Sequence, residues 1–382
     1  MSGFFDSYFD ESHQLFRDMC RRFTAEEITP FAYEWEEAES FPVELYRKAA
    51  EAGVLAPSWS EEYGGGGGDV FHDIVAGEEF IRSGSTGVAV GLSTHSIALP
   101  PIHYLGSEEQ KQRFITPVLN GEKISALGIT EPGTGSDVAG VRTTAKRDGD
   151  CYILNGAKTF ITSGVRGDII TVLARTSPDP HQGLTFFVVE KGMKGFGVSK
   201  SLKKTGWRAS DTAELFFDDC RVPLENRIGE EGSGFLALMK NFESERLTLA
   251  VNGHAIAQVC LEEAIAYSKQ RIAFGKPIGR FQVNRHRLAE MTTKVTAAKS
   301  LTYHCAQQMK EGLPIMAQIA MAKNFAGQVA IDVSYDAVQM LGGMGYMRES
   351  VSERLSRDAR LLPIGGGTHE IMNELIAKGL GY

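Results

Sequence analysis

The sequence predicts a multidomain α+β fold: an N-terminal α-helical domain, a central antiparallel β-barrel or sandwich, and a C-terminal domain resembling a four-helix bundle. The 382 residues exceed the size at which one hydrophobic core usually stops growing, so several domains are expected. The hydrophobic period changes from helical to alternating near residue 123 and returns to helical near residue 230. We therefore predict domains at 1–122, 123–230 and 231–382.

Apolar residues at helical spacing predict the first domain. Leu15, Met19 and Phe23 recur at every fourth position, and the window Ile74–Ile81 reads the same way. The five glycines Gly64–Gly68 predict a flexible loop instead of a phosphate cradle, because no Gly-Lys-Ser or Gly-Lys-Thr sequence follows them.

Short β-prone runs, separated by Gly, Asp and Pro, predict the central sheet. The clearest runs are Cys151–Leu154, Ile169–Ala174, Thr185–Val189 and Glu214–Phe217. From Gly234 onwards the helical period returns, which predicts a bundle of helices. These helices should be separated at the glycine-containing segments Gly275–Gly279, Gly312–Pro314, Gly342–Gly345 and Gly365–Gly367.

Composition and charge argue against several classes of partner. The chain has 40 basic and 48 acidic residues, and the net charge of −8 disfavours binding to nucleic acid. No apolar run is long enough to span a bilayer, so no membrane insertion is expected. The five cysteines form no CxxC pair and the nine histidines show no metal-binding spacing, so we expect neither a disulfide framework nor a metal. Acidic residues near the N-terminus argue against a targeting peptide and favour a cytoplasmic location, unless a presequence has been removed.

Two glycine-containing segments could contact a cofactor. In ALGITEPGTGSD (126–137) the proline and glycines force a turn beside the hydroxyls of Thr130 and Ser136, which suits an anion or the edge of a heterocycle. In NGAKTFITSG (155–164) a strand would carry Phe160 and the threonine two residues later on one face, against a flat ligand. An ordinary loop and a hairpin with a core phenylalanine are the alternatives.

A charge pair interrupts an apolar helical stripe near the start of the last domain. The stripe consists of Phe235, Leu238, Met239 and Phe242. On a helical projection Arg246 lies near the centre of the stripe and Glu245 lies at its flank. Such a pair suggests a functional site, with a partly buried salt bridge or a snorkelling arginine as the alternative.

Three further segments complete a recognisable set. They are ESERL at Glu243–Leu247, RIAFGKPIGRFQ at Arg271–Gln282, and QMLGGMGY at Gln339–Tyr346 followed by IGGGTHEIM at Ile364–Met372. Together with the two cofactor segments, and in this order, they resemble the acyl-CoA dehydrogenase family over nearly the whole chain. The resemblance implies an FAD-dependent enzyme that removes two hydrogens from Cα and Cβ of an acyl-CoA thioester.

The resemblance assigns two groups of residues to FAD. The first group should line the isoalloxazine ring: Leu127, Ile129, Thr130, Phe160, Ile161 and Thr162. The second should reach the diphosphate and adenosine of FAD in a neighbouring subunit, which implies a homotetramer: Arg271, Phe274, Gln282, Gln339 and Gly343. Thr368 and Glu370 are assigned to the cofactor as well. A surface salt bridge at Arg271 and an exposed helix position at Gln339 are the alternatives.

The resemblance also assigns residues to the acyl-CoA substrate: Ser136, Phe235, Met239, Glu243, Arg246 and Gly367. The main-chain N–H of Gly366, with a ribityl hydroxyl of FAD, should polarise the thioester carbonyl. The small residues Gly91, Ser93 and Ser96 lie where the resemblance places the far end of the acyl pocket. Small side chains leave room for further methylenes, so medium-to-long or branched chains are expected.

The general base is where this sequence departs from the commoner family pattern. Many members carry the catalytic glutamate directly before a Gly-Thr pair, and here Gly366 holds that place. The long-chain and isovaleryl branches instead carry the glutamate in a Glu-Arg-Leu stretch, which here begins at Glu245. The resemblance therefore implies Glu245 as the base, with Glu370 as the alternative.

Two other functions stay open at the level of sequence. The resemblance implies electron transfer flavoprotein as the electron acceptor, but an acyl-CoA oxidase or a related flavin oxidase or monooxygenase would use oxygen on the same scaffold. A non-catalytic flavin-containing binding protein is the second alternative, because a shared fold does not establish turnover. Such a protein would be expected to carry a basic C-terminal extension.

Overall fold

The computed structural model describes residues 3–382, and its first third is helical. Within the described residues, nine α-helices precede the sheet: α1 (Glu11–Phe23), α2 (Ala32–Ala38), α3 (Glu44–Glu51), α4 (Val70–Ile81), α5 (Thr86–Leu92), α6 (His95–Ala98), α7 (Pro100–Leu105), α8 (Glu108–Phe114) and α9 (Thr116–Leu119). No helix within residues 3–382 is long and apolar enough to cross a membrane.

Helix α1 buries a different stripe from the one that the sequence predicts. Leu15 is 62% exposed and Met19 is also exposed, whereas Phe16, Cys20 and Phe23 are buried. The buried residues follow the alternating spacing of four and three that keeps side chains on one face of a helix. A strict spacing of four drifts around the helix, which explains why only Phe23 was assigned to the correct face.

The glycine segment after α3 is a loop, as predicted, but hydrogen bonds fix its path, whereas the sequence predicts a flexible loop. Gly65 N–H donates to Ser60 O at 3.0 Å and Gly67 N–H donates to Trp59 O at 2.8 Å. A Cβ on Gly65 would lie 2.2 Å from the carbonyl oxygen of Trp59, so glycine is needed for this close approach. The loop is therefore tightly packed against residues 56–60.

The central sheet contains the four β-prone runs predicted from sequence. Its strands are β1 (Ser125–Gly128), β2 (Thr144–Asp148), β3 (Cys151–Thr162), β4 (Ile169–Arg175), β5 (Leu184–Glu190), β6 (Phe196–Ser201), β7 (Thr212–Pro223) and β8 (Arg227–Ile228). The order is β6-β7-β3-β2-β4-β5-β8, with β1 beside β4. Most pairs are antiparallel, but β4 pairs in parallel with both β1 and β2, so the sheet is mixed and does not close into a barrel.

The last third of the chain is helical and is broken at the predicted glycine segments. Its helices are α10 (Gly234–Gln270), α11 (Gln282–Lys310), α12 (Met316–Leu341), α13 (Val351–Ala359) and α14 (His369–Gly379). A small hairpin of β9 (Ile272–Ala273) and β10 (Lys276–Pro277) joins α10 to α11. Helix α10 packs against both α11 and α12, and a Cβ on Gly253 would lie 2.7 Å from the backbone of Ala326. This close packing makes α10 and α12 the rigid support of the site described next.

Candidate active site

The turn after β1 and the end of β3 are held together by hydrogen bonds. Thr159 N–H donates to Thr130 O at 2.8 Å, and Lys158 Nζ donates to Ile129 O at 2.9 Å. Lys158 also pairs with Glu131 Oε1 at 2.8 Å, and both side chains are buried. Burial lowers the pKa of Lys158 to about 8, although Glu131 opposes this shift. The structure therefore brings together the two segments assigned to the flavin ring, through a lysine that the sequence analysis did not identify.

Phe160 is an exposed aromatic residue on an unusual backbone. Its side chain is 69% exposed and its φ is +60°, next to a register shift between Lys158 and Ile161. Ile161 is buried in the sheet and Thr162 is half-buried. The shared face of Phe160 and Thr162 stays a prediction, because the register shift interrupts the regular alternation of side chains at Phe160. Strained backbone that presents an apolar ring to the outside is typical of a site that contacts a ligand.

Two glycines in the turn after β1, Gly133 and Gly135, and one just after α12, Gly343, are not required to be glycine by any contact or backbone angle within the described residues. A Cβ on Gly133, Gly135 or Gly343 would meet no atom within 4 Å in the described structure, and none of the three has a left-handed φ. A group outside the chain that approaches the backbone closely would explain them. Ser136 is exposed in the same turn as the first two.

The end of β1 and the first turns of α10 share one hydrophobic cluster. Ile129 belongs to its buried part, and Leu127, Phe235, Met239 and Phe242 pack against it. This cluster brings the residues assigned to the flavin ring next to two residues assigned to the acyl-CoA.

Glu245 and Gly366 face each other across the gap between α10 and the loop before α14. A Cβ on Gly366 would lie 3.3 Å from Glu245 Oε1. The two places where the family carries its base, on the helix and on the loop, therefore point to the same spot. Burial raises the pKa of Glu245, while the charges of Arg246 and Lys323 oppose the shift. A carboxylate with a raised pKa is suited to accept a proton.

The loop around Gly366 has backbone amides that are free to bind an oxygen. Among the hydrogen bonds within residues 3–382, none is donated by the N–H groups of Gly366, Gly367 or Thr368. Both glycines have a positive φ, and Thr368 caps α14 by accepting from Ile371 N–H at 3.3 Å. Consecutive free amides of this kind form a binding site for an anionic oxygen.

The remaining charged candidates near this loop differ in burial. Arg246 is buried, with its guanidinium 5.0 Å from the Phe242 ring, and Glu243 is half-buried. Glu370 is exposed, and its own backbone N–H and a hydrogen bond with Thr368 lower its pKa. A low pKa and full hydration make Glu370 a weaker base than Glu245.

The second group of predicted cofactor residues is exposed on the C-terminal helices. Its members are Arg271, Phe274, Gln282, Gln339 and Gly343, which lie at the ends of α10, α11 and α12. Phe274 is 95% exposed and has a φ of +49°. Ile272, Val283, Tyr335, Met344 and Tyr346 are further large apolar residues that are exposed on the same segments. So much exposed apolar surface is typical of an interface with another protein chain.

The three small residues expected at the far end of the acyl pocket have different surroundings. A Cβ on Gly91 would lie 2.6 Å from the Phe41 ring, so this glycine packs against a side chain and lines no open space. Ser93 and Ser96 are half-buried, and their hydroxyls donate to carbonyls one turn earlier. His95 is buried against Leu92 O, and burial lowers its pKa to about 4, so it is neutral near pH 7.

One group of described residues has a composition that could hold a metal ion: His13, Asp69 and His72. Sequence spacing did not reveal it, because His13 lies 56 positions before Asp69. Both histidines already use Nδ1 to accept a backbone N–H in a capping box, at the starts of α1 and α4. Lys310 also pairs with Asp69. We therefore assign the group to helix capping.

Comparison with known proteins gives concordant matches along the whole chain. Three family models match in order: acyl-CoA dehydrogenase N-terminal domain (10–122), middle domain (126–220) and C-terminal domain (232–381). The mitochondrial long-chain specific acyl-CoA dehydrogenase of Sus scrofa is 43% identical over 374 residues, covering 97% of this chain and 86% of the relative. The short-chain specific acyl-CoA dehydrogenase of Clostridium acetobutylicum is 40% identical over 366 residues, covering 95% and 96%. The crystal structure of a probable acyl CoA dehydrogenase from Mycobacterium abscessus has a TM-score of 0.96 at 46% identity, covering 98% of this chain and 100% of that chain.

Proposed function

Because this chain belongs to the acyl-CoA dehydrogenase family, whose members are FAD-dependent oxidoreductases, we propose that it oxidises the Cα–Cβ bond of an acyl-CoA thioester to a trans-2-enoyl-CoA. The observation that carries this proposal is the carboxylate of Glu245 beside Gly366, whose amide N–H is free. A proton acceptor and an oxygen-binding amide at one spot are the two groups that removal of an α-proton requires.

The described residues fit FAD. Phe160 presents an exposed ring on a strained backbone, and the neighbouring Gly133 and Gly135 leave space for a group outside the chain. The isoalloxazine ring would be held by Leu127, Ile129, Thr130, Phe160, Ile161 and Thr162, with Thr368 and Glu370 contributing from the C-terminal loop. When bound, FAD supplies the acceptor for the β-hydride at N5.

Glu245 and the Gly366 amide act on the substrate in concert. The carboxylate of Glu245 takes the α-proton, and the electron pair of the broken C–H bond is left as an enolate-like charge on the thioester oxygen. The N–H of Gly366 donates a hydrogen bond to that oxygen, which lowers the barrier most where the charge is largest. Ser136, Phe235, Met239, Glu243, Arg246 and Gly367 would hold the rest of the acyl-CoA.

The test of the base compares two glutamates. Glu245→Gln should lower turnover of acyl-CoA by roughly two to four powers of ten, the usual contribution of general base catalysis. FAD content and acyl-CoA affinity should be retained. Glu370→Gln is the matched control and should have a much smaller effect, because Glu370 is exposed and has a lowered pKa. Full activity of Glu245→Gln would remove the assignment.

For the substrate we propose medium-to-long or branched acyl chains. Relatives with long-chain and short-chain specificity are 43% and 40% identical, so overall identity does not select a chain length. Of the three small residues expected near the acyl chain, Ser93 and Ser96 still support this proposal. Gly91 no longer supports it, because it packs against Phe41. Turnover of a panel of acyl-CoA substrates with an artificial electron acceptor tests this proposal. A strong preference for butyryl-CoA over decanoyl-CoA and branched substrates contradicts it.

We also propose that the protein is a homotetramer in the cytoplasm and passes electrons to electron transfer flavoprotein. Exposed apolar residues around Phe274 support an assembled state, and five free, buried cysteines support a reducing compartment. Light scattering after size exclusion checks the assembly, and a monomer replete with FAD would contradict it.

The reaction of the reduced protein with air tests the electron acceptor. An acyl-CoA oxidase would form hydrogen peroxide, whereas a dehydrogenase should stay reduced while product is bound.

A further inference from the structure

Lys323 is a buried lysine in α12 that reaches the loop carrying Gly366. Its side chain is 1% exposed. Its Nζ donates to Leu362 O at 3.1 Å and to Gly367 O, at the two ends of the loop. A lysine is costly to bury, and the two carbonyls alone could be satisfied by a neutral donor. The position of this charge therefore calls for an explanation.

Arg246 holds the same loop from the opposite helix. Its Nε donates to Gly366 O at 3.4 Å. The carbonyls of Gly366 and Gly367 thus both face cations, one from α10 and one from α12. Because the N–H and C=O of a planar peptide point in opposite directions, fixing these two carbonyls also fixes the N–H groups of Gly367 and Thr368, which directly follow Gly366 in the loop. We call the contacts of Arg246 and Lys323 with this loop the carbonyl clamp.

The charge of Lys323 also acts on Glu245. Burial raises the pKa of Glu245, and the positive charges of Arg246 and Lys323 act in the opposite sense. Glu245 faces Gly366, Arg246 donates to Gly366 O and Lys323 donates to Gly367 O, so the three charged groups surround the same loop from α10 and α12. Glu243 adds a further negative charge that acts on Arg246.

We propose that Lys323 is a positioning residue for the reaction described above: it fixes the Gly366 loop for the thioester oxygen, and it places a positive charge on the same loop that Glu245 faces. This inference rests on the proposed function and extends it to a residue that touches neither substrate nor cofactor. The competing explanation is that Lys323 only satisfies two buried carbonyls and so stabilises the fold.

The pH dependence of turnover separates these explanations. Lys323→Met removes a positive charge near Glu245, so ionised Glu245 becomes less stable and its pKa rises. The acid limb of the profile of kcat against pH should therefore move to higher pH. A misplaced loop should lower kcat by about ten- to a hundred-fold, with little change in KM, because the amide acts mainly on the transition state.

Two further variants complete the comparison. Lys323→Arg keeps the charge, so its acid limb should stay near that of the wild type. Lys204→Met is the matched control, because Lys204 is also held by a carbonyl and a hydroxyl, Ser210 O at 2.6 Å and Thr212 Oγ1 at 2.9 Å. Burial lowers the pKa of Lys204 to about 8, as it does for Lys323. Lys204→Met should lower the melting temperature and leave the acid limb in place.

A binding measurement tests the clamp without turnover. A 3-oxoacyl-CoA has an acidic α-carbon, and its enolate resembles the charge that develops in the reaction. The FAD-loaded Lys323→Met variant should bind this probe more weakly than the wild type, by a larger factor than it loses for a saturated acyl-CoA. If Lys323→Met does not fold, Lys323→Gln, which keeps a donor and loses the charge, serves in its place.

The outcomes distinguish the clamp from the proposed function. A folded, FAD-loaded Lys323 variant with an unmoved acid limb and unchanged affinity for the 3-oxoacyl-CoA overturns the clamp alone, provided that the wild type oxidises acyl-CoA. A wild-type protein that oxidises no acyl-CoA overturns the proposed function and the clamp with it. A shifted limb with a selective loss of enolate affinity supports the clamp.

Discussion

Glu245 makes the folded protein less stable at the pH at which it is expected to work. Burial raises its pKa, which means that folding favours the protonated form over the ionised form. A raised pKa in the folded state contributes stability at low pH, and this contribution is lost as pH rises through that pKa. The ionised form of Glu245, which serves as the base, thus lowers the free energy of unfolding.

We therefore expect Glu245→Gln to raise the melting temperature at pH 7 to 8 while it abolishes most turnover. The neutral amide avoids the cost of ionising a half-buried carboxyl group. The gain should vanish below about pH 4, where an ordinary glutamate is protonated even in the unfolded chain. Thermal unfolding of both proteins across this range measures the effect, and an equal or lower melting temperature at pH 8 contradicts it.

Returning the base to the loop requires a change at a third residue. A Cβ on Gly366 would lie 2.3 Å from Leu249 Cδ1, and Leu249 is buried. Gly366 also has a φ of +62°, which costs about 1–3 kcal/mol for other residues. The double variant Glu245→Ala with Gly366→Glu should fold poorly. Adding Leu249→Ala should restore turnover to at least about ten times that of Glu245→Ala alone, and equal rates contradict the shared spot.

Residues that belong to a motif can be predicted from sequence, whereas residues that act through contacts distant in sequence cannot. Glu245 and Gly366 were singled out because they fill positions of a known motif, and the structure places them face to face. Lys158 and Lys323 carry no such mark, since each acts by reaching carbonyls that are distant in sequence. A signal for Lys323 was present nonetheless: it is the only charged residue between Met316 and Ile331, the first 16 residues of α12.

At the scale of elements, the positions of strands and of helix ends can be predicted from sequence better than the face that each helix buries. Runs of β-branched and aromatic residues and clusters of glycine are local signals, and they coincide with β3, β4, β5 and β7 and with the ends of the long helices. The face that a helix buries depends on its partner, so the stripe of α1 was assigned one position away. The parallel pairing of β1 with β4 depends on contacts about 40 residues apart, which no local pattern encodes.

The glycine loop before α4 offers a test of packing at this scale. Gly65→Ala would place a methyl group 2.2 Å from a backbone oxygen, so the loop must move. We expect a loss of about 1–3 kcal/mol in the free energy of unfolding, as for other overpacked sites. Gly133→Ala is the matched control, because its Cβ would meet open space. Equal melting temperatures for the two variants without FAD would contradict this prediction, because the loop would then accommodate the methyl group without loss of stability.

For the whole molecule, two buried carboxyl groups join its three regions. Glu36 from α2 accepts from Ser85 Oγ and from Arg208 N–H at 3.1 Å, and Asp358 from α13 accepts from Trp207 N–H at 2.6 Å. Both bind the loop before β7. Burial and the charge of Glu36 raise the pKa of Asp358, and burial raises that of Glu36. The contacts of Glu36 and Asp358 with this loop are therefore most stable when one of the two carboxyl groups keeps its proton.

These contacts predict a pH dependence of stability. Because both pKa values are raised by folding, their contribution is present at low pH and is lost as pH rises through about 7, the pKa of Asp358. The melting temperature should fall between pH 5 and pH 8, and Asp358→Asn should flatten that slope. Asp332→Asn is the control: burial opposes the shift, but Lys294 lowers the pKa of Asp332, so its effect should be constant over this range. A slope unchanged in Asp358→Asn refutes the assignment.

Leu249 fills the space that a side chain at position 366 would occupy. This packing limits how the position of the base can change in evolution. Moving the base from helix to loop exchanges two residues and also requires the Leu249 side chain to shift, because a Cβ on Gly366 would lie 2.3 Å from its Cδ1. Each intermediate would lack either a base or a well-packed core. The packing of this leucine therefore favours keeping the glutamate on the helix when other positions of the chain change.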